Sequence, residues 1–180
     1  MNNSSVADNC HAQISLADYL PVIETSLKNG GSVRLTITGT SMVPTIRGGR
    51  DQVTLCAVAG PLKKYDLPLY RRENGQFILH RIVRVDKEGA YVCCGDHQWV
   101  REPGIHPDQI IAVVSEICRK GKTFSVRNIR YRLWSRLWVW LLPVRKYLFR
   151  IYQLLSRSIS PKKGKKNKLT GAVCTVETVI

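Results

Sequence analysis

Three residues of types that together can activate a hydroxyl lie in order along the chain: Ser41, His80 and Asp96. A serine attacking a carbonyl needs a base to take its proton, a group to orient that base, and donors for the oxyanion that forms. Ser41 lies in Gly39-Thr40-Ser41-Met42, directly after an alternating apolar stretch, where glycine permits a sharp turn and Pro44 restricts the residues that follow. Such a turn exposes both the hydroxyl and its own amide. An imidazole with its ordinary pKa near ~6.5 is largely neutral at pH 7, so His80 can accept the serine proton without the strong desolvation that a lysine would need.

Several elements must position these groups. Ser15 is placed to cap a helix with apolar positions Leu16, Tyr19, Leu20, Ile23 and Leu27, which Pro21 shortens or bends and Gly30-Gly31 ends. Val33, Leu35 and Ile37 alternate with polar residues, the period of a half-buried strand leading to Ser41. Val53 and Leu55 mark a second strand, and Leu67–Arg72 a third. Asn74-Gly75 joins the third to Gln76–Val85 and predicts a hairpin closed by a primed turn. His80 then shares an apolar row with Ile78 and Ile82 on the second arm. Ala90–Cys94 and Gln109–Cys118 complete a mainly β body.

Taken in order, Gly39-Thr40-Ser41-Met42-Val43-Pro44-Thr45, Asp66, Leu79-His80-Arg81-Ile82-Val83, Gly95-Asp96 and the apolar Ile110–Val114 resemble the conserved boxes of signal peptidases and their LexA-type relatives. The resemblance spans about residues 32 to 118. It implies a coiled β-sheet or partly closed barrel with a short N-terminal helix and, through His80 in place of lysine, the endoplasmic-reticulum-type branch. Carried over by motif, Ser41 is the nucleophile, His80 the general base and then acid, and Asp96 the carboxylate that orients the imidazole. Glu102, six residues later, is the alternative or helper. Oxyanion and substrate-positioning roles fall to the backbone around Gly39, Thr40 and Met42. Some relatives carry a serine hydroxyl two residues before the nucleophile; Gly39 stands there in this chain, which shifts the load to backbone donors, or to Thr40 if its side chain turns inward. The implied activity is that of a serine endopeptidase cutting a peptide or preprotein. A rival reading keeps the peptidase fold as a non-enzymatic binding or regulatory module, motivated by the absent hydroxyl at Gly39 and the lack of an evident anchor.

Charge divides the chain in two. All of the net +15 falls after residue 118, where 16 Lys/Arg face only Glu177, while the 12 Lys/Arg and 12 Asp/Glu before it cancel. Four segments follow: a tail and short helix over 1–31, the catalytic domain over 32–121, a basic aromatic helical region over 122–160, and a Lys-rich tail over 161–180. In the third, Trp134, Leu137, Trp138, Leu141 and Leu148 fall near one side of a helix and Arg132, Arg136, Lys146 and Arg150 near the other, with Pro143 predicting a kink or two short helices. That pattern suits peripheral binding to an anionic membrane through residues 128–157, on the cytoplasmic side, or else packing on the domain. Nucleic acid is the weaker partner, since no base-reading motif accompanies the lysines. The longest uninterrupted apolar stretch, Leu137–Val144, is far short of the ~20 residues of a membrane span. The six cysteines show no C-x-x-C or ligand spacing, so they predict packed free thiols, and neither metal nor cofactor is implied. Leu169–Ile180 is apolar enough to add a strand.

Overall fold

The computed structural model describes residues 16–147, 149, 150 and 175–177, so the expected Ser15 cap and most of the Lys-rich tail lie outside the described residues. Helix α1 (Leu16–Lys28) runs through Pro21 and buries Leu16, Ile23 and Leu27. It stops where expected: Gly30 is left-handed, and the Gly30 and Gly31 amides return to the Leu27 and Ser26 carbonyls. The strands are β1 (Val33–Thr36), β2 (Gln52–Cys56), β3 (Pro68–Arg71), β4 (Phe77–Leu79), β5 (Arg81–Val85), β6 (Tyr91–Cys94), β7 (Glu102–Ile105), β8 (Ile110–Arg119) and β9 (Lys122–Ser125). Helix α2 (Ile129–Trp140) follows, and β10 (Thr175–Glu177) pairs with β1.

The body is mainly β, and its principal antiparallel sheet curls into half a barrel. Strand order in that sheet is β10-β1-β2-β8-β3-β4, with β9 also on β8; a second sheet holds β5-β6-β7. Alternation along β1 and β2 buries Val33, Leu35, Val53 and Leu55 against α1, and each such fully buried aliphatic side chain contributes about 1.5–3 kcal/mol. A second cluster, around Tyr70, Ile82, Tyr91 and Cys93, fills the space between the sheets.

Two expectations are revised. The arm Gln76–Val85 is not one strand: β4 belongs to the large sheet and β5 to the small one, and His80 is the single residue between them. The hairpin turn is not a primed one either. Arg72 and Gly75 close a turn (2.9 Å) in which, of the loop residues, only Gly75 is left-handed, and the Arg72 amide bonds the Gln76 carbonyl. This is the three-residue loop with a bulge glycine, and it sets Tyr70 opposite Ile78. The expected break near Pro143 is present, with α2 ending at Trp140 and a second helical stretch beginning at 142. Strands β7 and β9 are unheralded in the sequence pattern.

Candidate active site

The chain from β1 to β2 makes a loop built from below. Gly39 is left-handed, and Gly48 has no room for a side chain, since a Cβ there would come within 2.1 Å of the Gly39 carbonyl oxygen. The Gly49 amide reaches the Ile37 carbonyl (2.7 Å), Ile46 reaches Met42 (2.9 Å), and the buried Asp51 carboxylate accepts from the Arg47 amide (2.9 Å) and Arg50 Nε (2.6 Å). Met42 is buried in the main core, which anchors the turn immediately after Ser41. Ser41 is half-buried, and among the described residues its amide has no acceptor. Thr40 is exposed, so its side chain does not take the inward place considered for it.

Ser41 is tied to the far end of β6. Its carbonyl accepts from the His97 amide (2.7 Å), and a Cβ on Gly95 would lie 2.7 Å from that same oxygen, which accounts for glycine in the Gly95-Asp96 pair. Arg81 pairs with Cys94 across β5 and β6. His80 and Gly95 are the residues next to this pair on their two chains, and Gly95 is the glycine that the Ser41 carbonyl covers. The loop that carries Ser41 is thus held at the end of β6 next to the pair that follows His80, and no hydrogen bond joins Ser41 to His80 among the described residues.

His80 is 4% exposed, and its Nδ1 edge faces a polar cluster. Tyr70 Oη lies 3.4 Å from Nδ1 and 2.7 Å from Glu102 Oε2, and Glu102 Oε2 lies 3.8 Å from Nδ1. Arg72 donates to the same carboxylate through Nε (2.5 Å) and Nη2 (2.6 Å). Burial alone would raise the Glu102 carboxyl; the donors of His80, Arg72 and Tyr70 outweigh it and hold the group well below the usual carboxylate range. Burial, with Cys93 and Glu102 nearby, pushes the Tyr70 phenol far up, so it keeps its proton. Proton bookkeeping then fixes the imidazole. Tyr70 has one proton, and the carboxylate, which can only accept, takes it; the Nδ1 edge then faces two acceptors, the phenol oxygen and Glu102, which favours the tautomer with its proton on Nδ1. That leaves Nε2 unprotonated. A neutral imidazole in this tautomer can take a proton at Nε2, and the charge it gains is offset by Glu102.

Asp96 is elsewhere, which corrects the motif expectation that it orients His80. It is fully buried and receives Arg81 Nε (2.9 Å), Arg81 Nη2 (2.7 Å) and the Thr45 hydroxyl. Consecutive strand residues alternate sides, so Arg81 leaves the chain away from His80, and the Asp96 carboxylate goes with the guanidinium. The pair is in turn enclosed by α2. Arg81 Nη1 donates to Tyr131 Oη (3.1 Å) and Ser135 Oγ (2.9 Å), and Trp134 Nε1 donates to Thr45 Oγ1 (3.1 Å). Trp138 Nε1 bonds the Asp96 carbonyl (3.0 Å), and buried Arg145 gathers the carbonyls of Gly95, Asp96 and Gln98 at 3.2–3.3 Å. The stretch from Tyr131 to Arg145 thus packs on the domain and clamps the segment that holds the Ser41 carbonyl.

Tyr70, Arg72 and Arg145 escaped sequence reasoning. The first two were legible in principle: once Tyr70 faces Ile78, it is the diagonal neighbour of His80, within reach of a long aromatic side chain. Arg145 had no local signal, because its partners are backbone carbonyls remote in sequence. Cys93 and Cys94 are packed thiols, pushed up by burial to about 12 and about 11. Among the described residues no group of His, Cys, Asp and Glu could hold a metal ion. No family model matches the chain, nor does any curated protein or solved structure compared with it.

Proposed function

We propose that the protein is a serine endopeptidase of the signal-peptidase-like type, in which Ser41 attacks a peptide carbonyl and His80 Nε2 takes its proton. The observation that carries this reading is the buried, tautomer-selecting environment of His80 beside the loop that presents Ser41. Glu102 serves as the carboxylate of the triad, acting on His80 through Tyr70 and across the 3.8 Å gap, while Arg72 keeps it ionised. As the tetrahedral intermediate forms, the Ser41 amide donates to the oxyanion, and His80 returns the proton to the leaving amine. Water then repeats the sequence on the acyl-enzyme.

The test is incubation of wild type, Ser41→Ala and His80→Ala with a cellular peptide mixture, with new termini read by mass spectrometry. Cuts made by the wild type and lost in both variants, with unchanged melting temperatures, support the reading; their residue preferences would define the substrate. One observation favours the rival reading of a non-catalytic module: Ser41 and His80 make no hydrogen bond among the described residues. Serine–base contacts often tighten only in the substrate complex, so the decision rests on turnover. Absence of any Ser41-dependent cut would favour the module.

A further inference from the structure

Helix α2 is turned inside out. Its inner side carries Tyr131, Ser135 and Val139, continued by Leu142 and Arg145 beyond the break, and three of these five are polar groups engaged with Arg81 or with the segment around Asp96. Its outer side carries Ile129, Leu133, Leu137 and Trp140, continued by Val144 and Tyr147, each between 43% and 73% exposed. The spacings of four, four, three, four and three residues place these six on one stripe, opposite the packed side. A surface helix ordinarily buries its apolar stripe. Here the sequence expectation of a single apolar side is corrected: Trp138 turns inward to the Asp96 carbonyl, whereas Leu137 and Trp140 turn outward.

The charges say what such a stripe meets. Arg130 lies on one shoulder and Arg132 and Arg136 on the other, all exposed, and Lys146 beyond the break is exposed as well. Between Glu116 and Glu177 the sequence contains no acidic residue, so nothing along the helix repels an anionic surface. Apolar side chains at headgroup depth, with guanidinium and ammonium groups level with the phosphates, are the two components of interfacial binding. Each surface cation adds attraction to an anionic leaflet, and the aliphatic stems of Arg and Lys extend the apolar band. A protein partner would need acidic groups matched one by one to the cations, whereas a lipid surface supplies phosphate everywhere.

We infer that the outer stripe of α2 and its continuation to Tyr147 is a docking surface for an anionic lipid membrane, lying along it without crossing. No helix among the described residues is long and apolar enough to cross a membrane. The inner side of the same helix holds Asp96 and the Gly95–Gln98 carbonyls, so docking would set the Ser41 segment at a fixed height above the lipid.

Flotation of the full chain with phosphatidylcholine vesicles, with and without phosphatidylglycerol, tests the inference. The wild type is expected to float only with the anionic vesicles. Leu137→Glu/Trp140→Glu should lower the bound fraction at least tenfold without changing the melting temperature, because both side chains are in solvent. Arg132→Ala/Arg136→Ala should weaken binding severalfold and flatten its salt dependence. Ser41→Ala should float as the wild type does, which separates this inference from the peptidase reading. A glutamate variant that binds as well as wild type would assign the effect to the Lys-rich tail and overturn the stripe. So would a wild type that forms a dimer abolished by L137E/W140E, or one that ignores vesicles and retains a single-stranded oligonucleotide instead.

Discussion

Two carboxylates, six residues apart, meet arginines in this protein, and the two pairs do different work. Asp96–Arg81 is sealed from solvent under α2, with both groups essentially unexposed, whereas Glu102–Arg72 lies nearer the rim, 24% and 33% exposed. The first pair joins β5 and β6 to α2; the second faces the imidazole of His80. Asp96, which the motif names, thus pairs with Arg81, and the carboxylate that faces His80 is the one on β7. Proximity in a motif does not say which way a side chain leaves its strand.

The largest effect should come from breaking the sealed pair. Asp96→Ala strands Arg81 in the interior, and removing one partner of a buried ion pair costs about 3–5 kcal/mol, to be read by chemical denaturation. A loss below about 1 kcal/mol would show that the two pairs are equivalent. Next, Glu102→Gln should lower the denaturation midpoint at pH 7 by less than Asp96→Ala does, because the rim pair is partly exposed, while reducing turnover about ten- to a hundredfold, a fraction of the roughly 10²–10⁴ that general base catalysis supplies. If turnover is unchanged, Glu102 is not the orienting group.

Tyr70→Phe removes one of the two acceptors facing Nδ1. It should cost about 1–3 kcal/mol for the buried group left unpaired and lower kcat with little change in KM, whereas a merely structural tyrosine would leave the turnover of the folded protein in place. A smaller effect sets the rim pair apart by pH. The folded Glu102 carboxyl ionises below its unfolded value, so its contacts stabilise the protein fully above the ordinary glutamate range near ~4.3 and are lost as the pH falls through that value towards the folded one. Thermal melts from pH 6 down to about 3 should fall less steeply in Glu102→Gln than in wild type. The smallest effect is a null one: with thiols raised to about 12 and about 11, Cys93 and Cys94 should resist iodoacetamide at pH 8 until the protein is unfolded.

The strand alternation at Val33, Leu35 and Ile37, the glycines at 30 and 39, and the apolar run of β8 were legible because each records a local constraint: which face is buried, or where the backbone turns left-handed. Mainly β architecture follows from such constraints. The break at His80 was not legible, because Gln76–Val85 has the period of one continuous strand; two different sheets take its halves. Strand β7, Glu102-Pro103-Gly104-Ile105, has no strand composition at all and forms only because β6 offers it an edge.

By itself the sequence determined the first helix and the strands with clear alternation, the turn that carries Ser41, and the division into a neutral front and a cationic rear. Only the tertiary structure decided which carboxylate meets His80 and which side of α2 faces outward. The reason is common to both. Backbone period and turn chemistry depend on neighbours in the chain, whereas the pairing of a buried charge depends on every donor and acceptor within a few ångströms, and those arrive from β3, β5, β7, α2 and the turn after β6 only when the chain has folded.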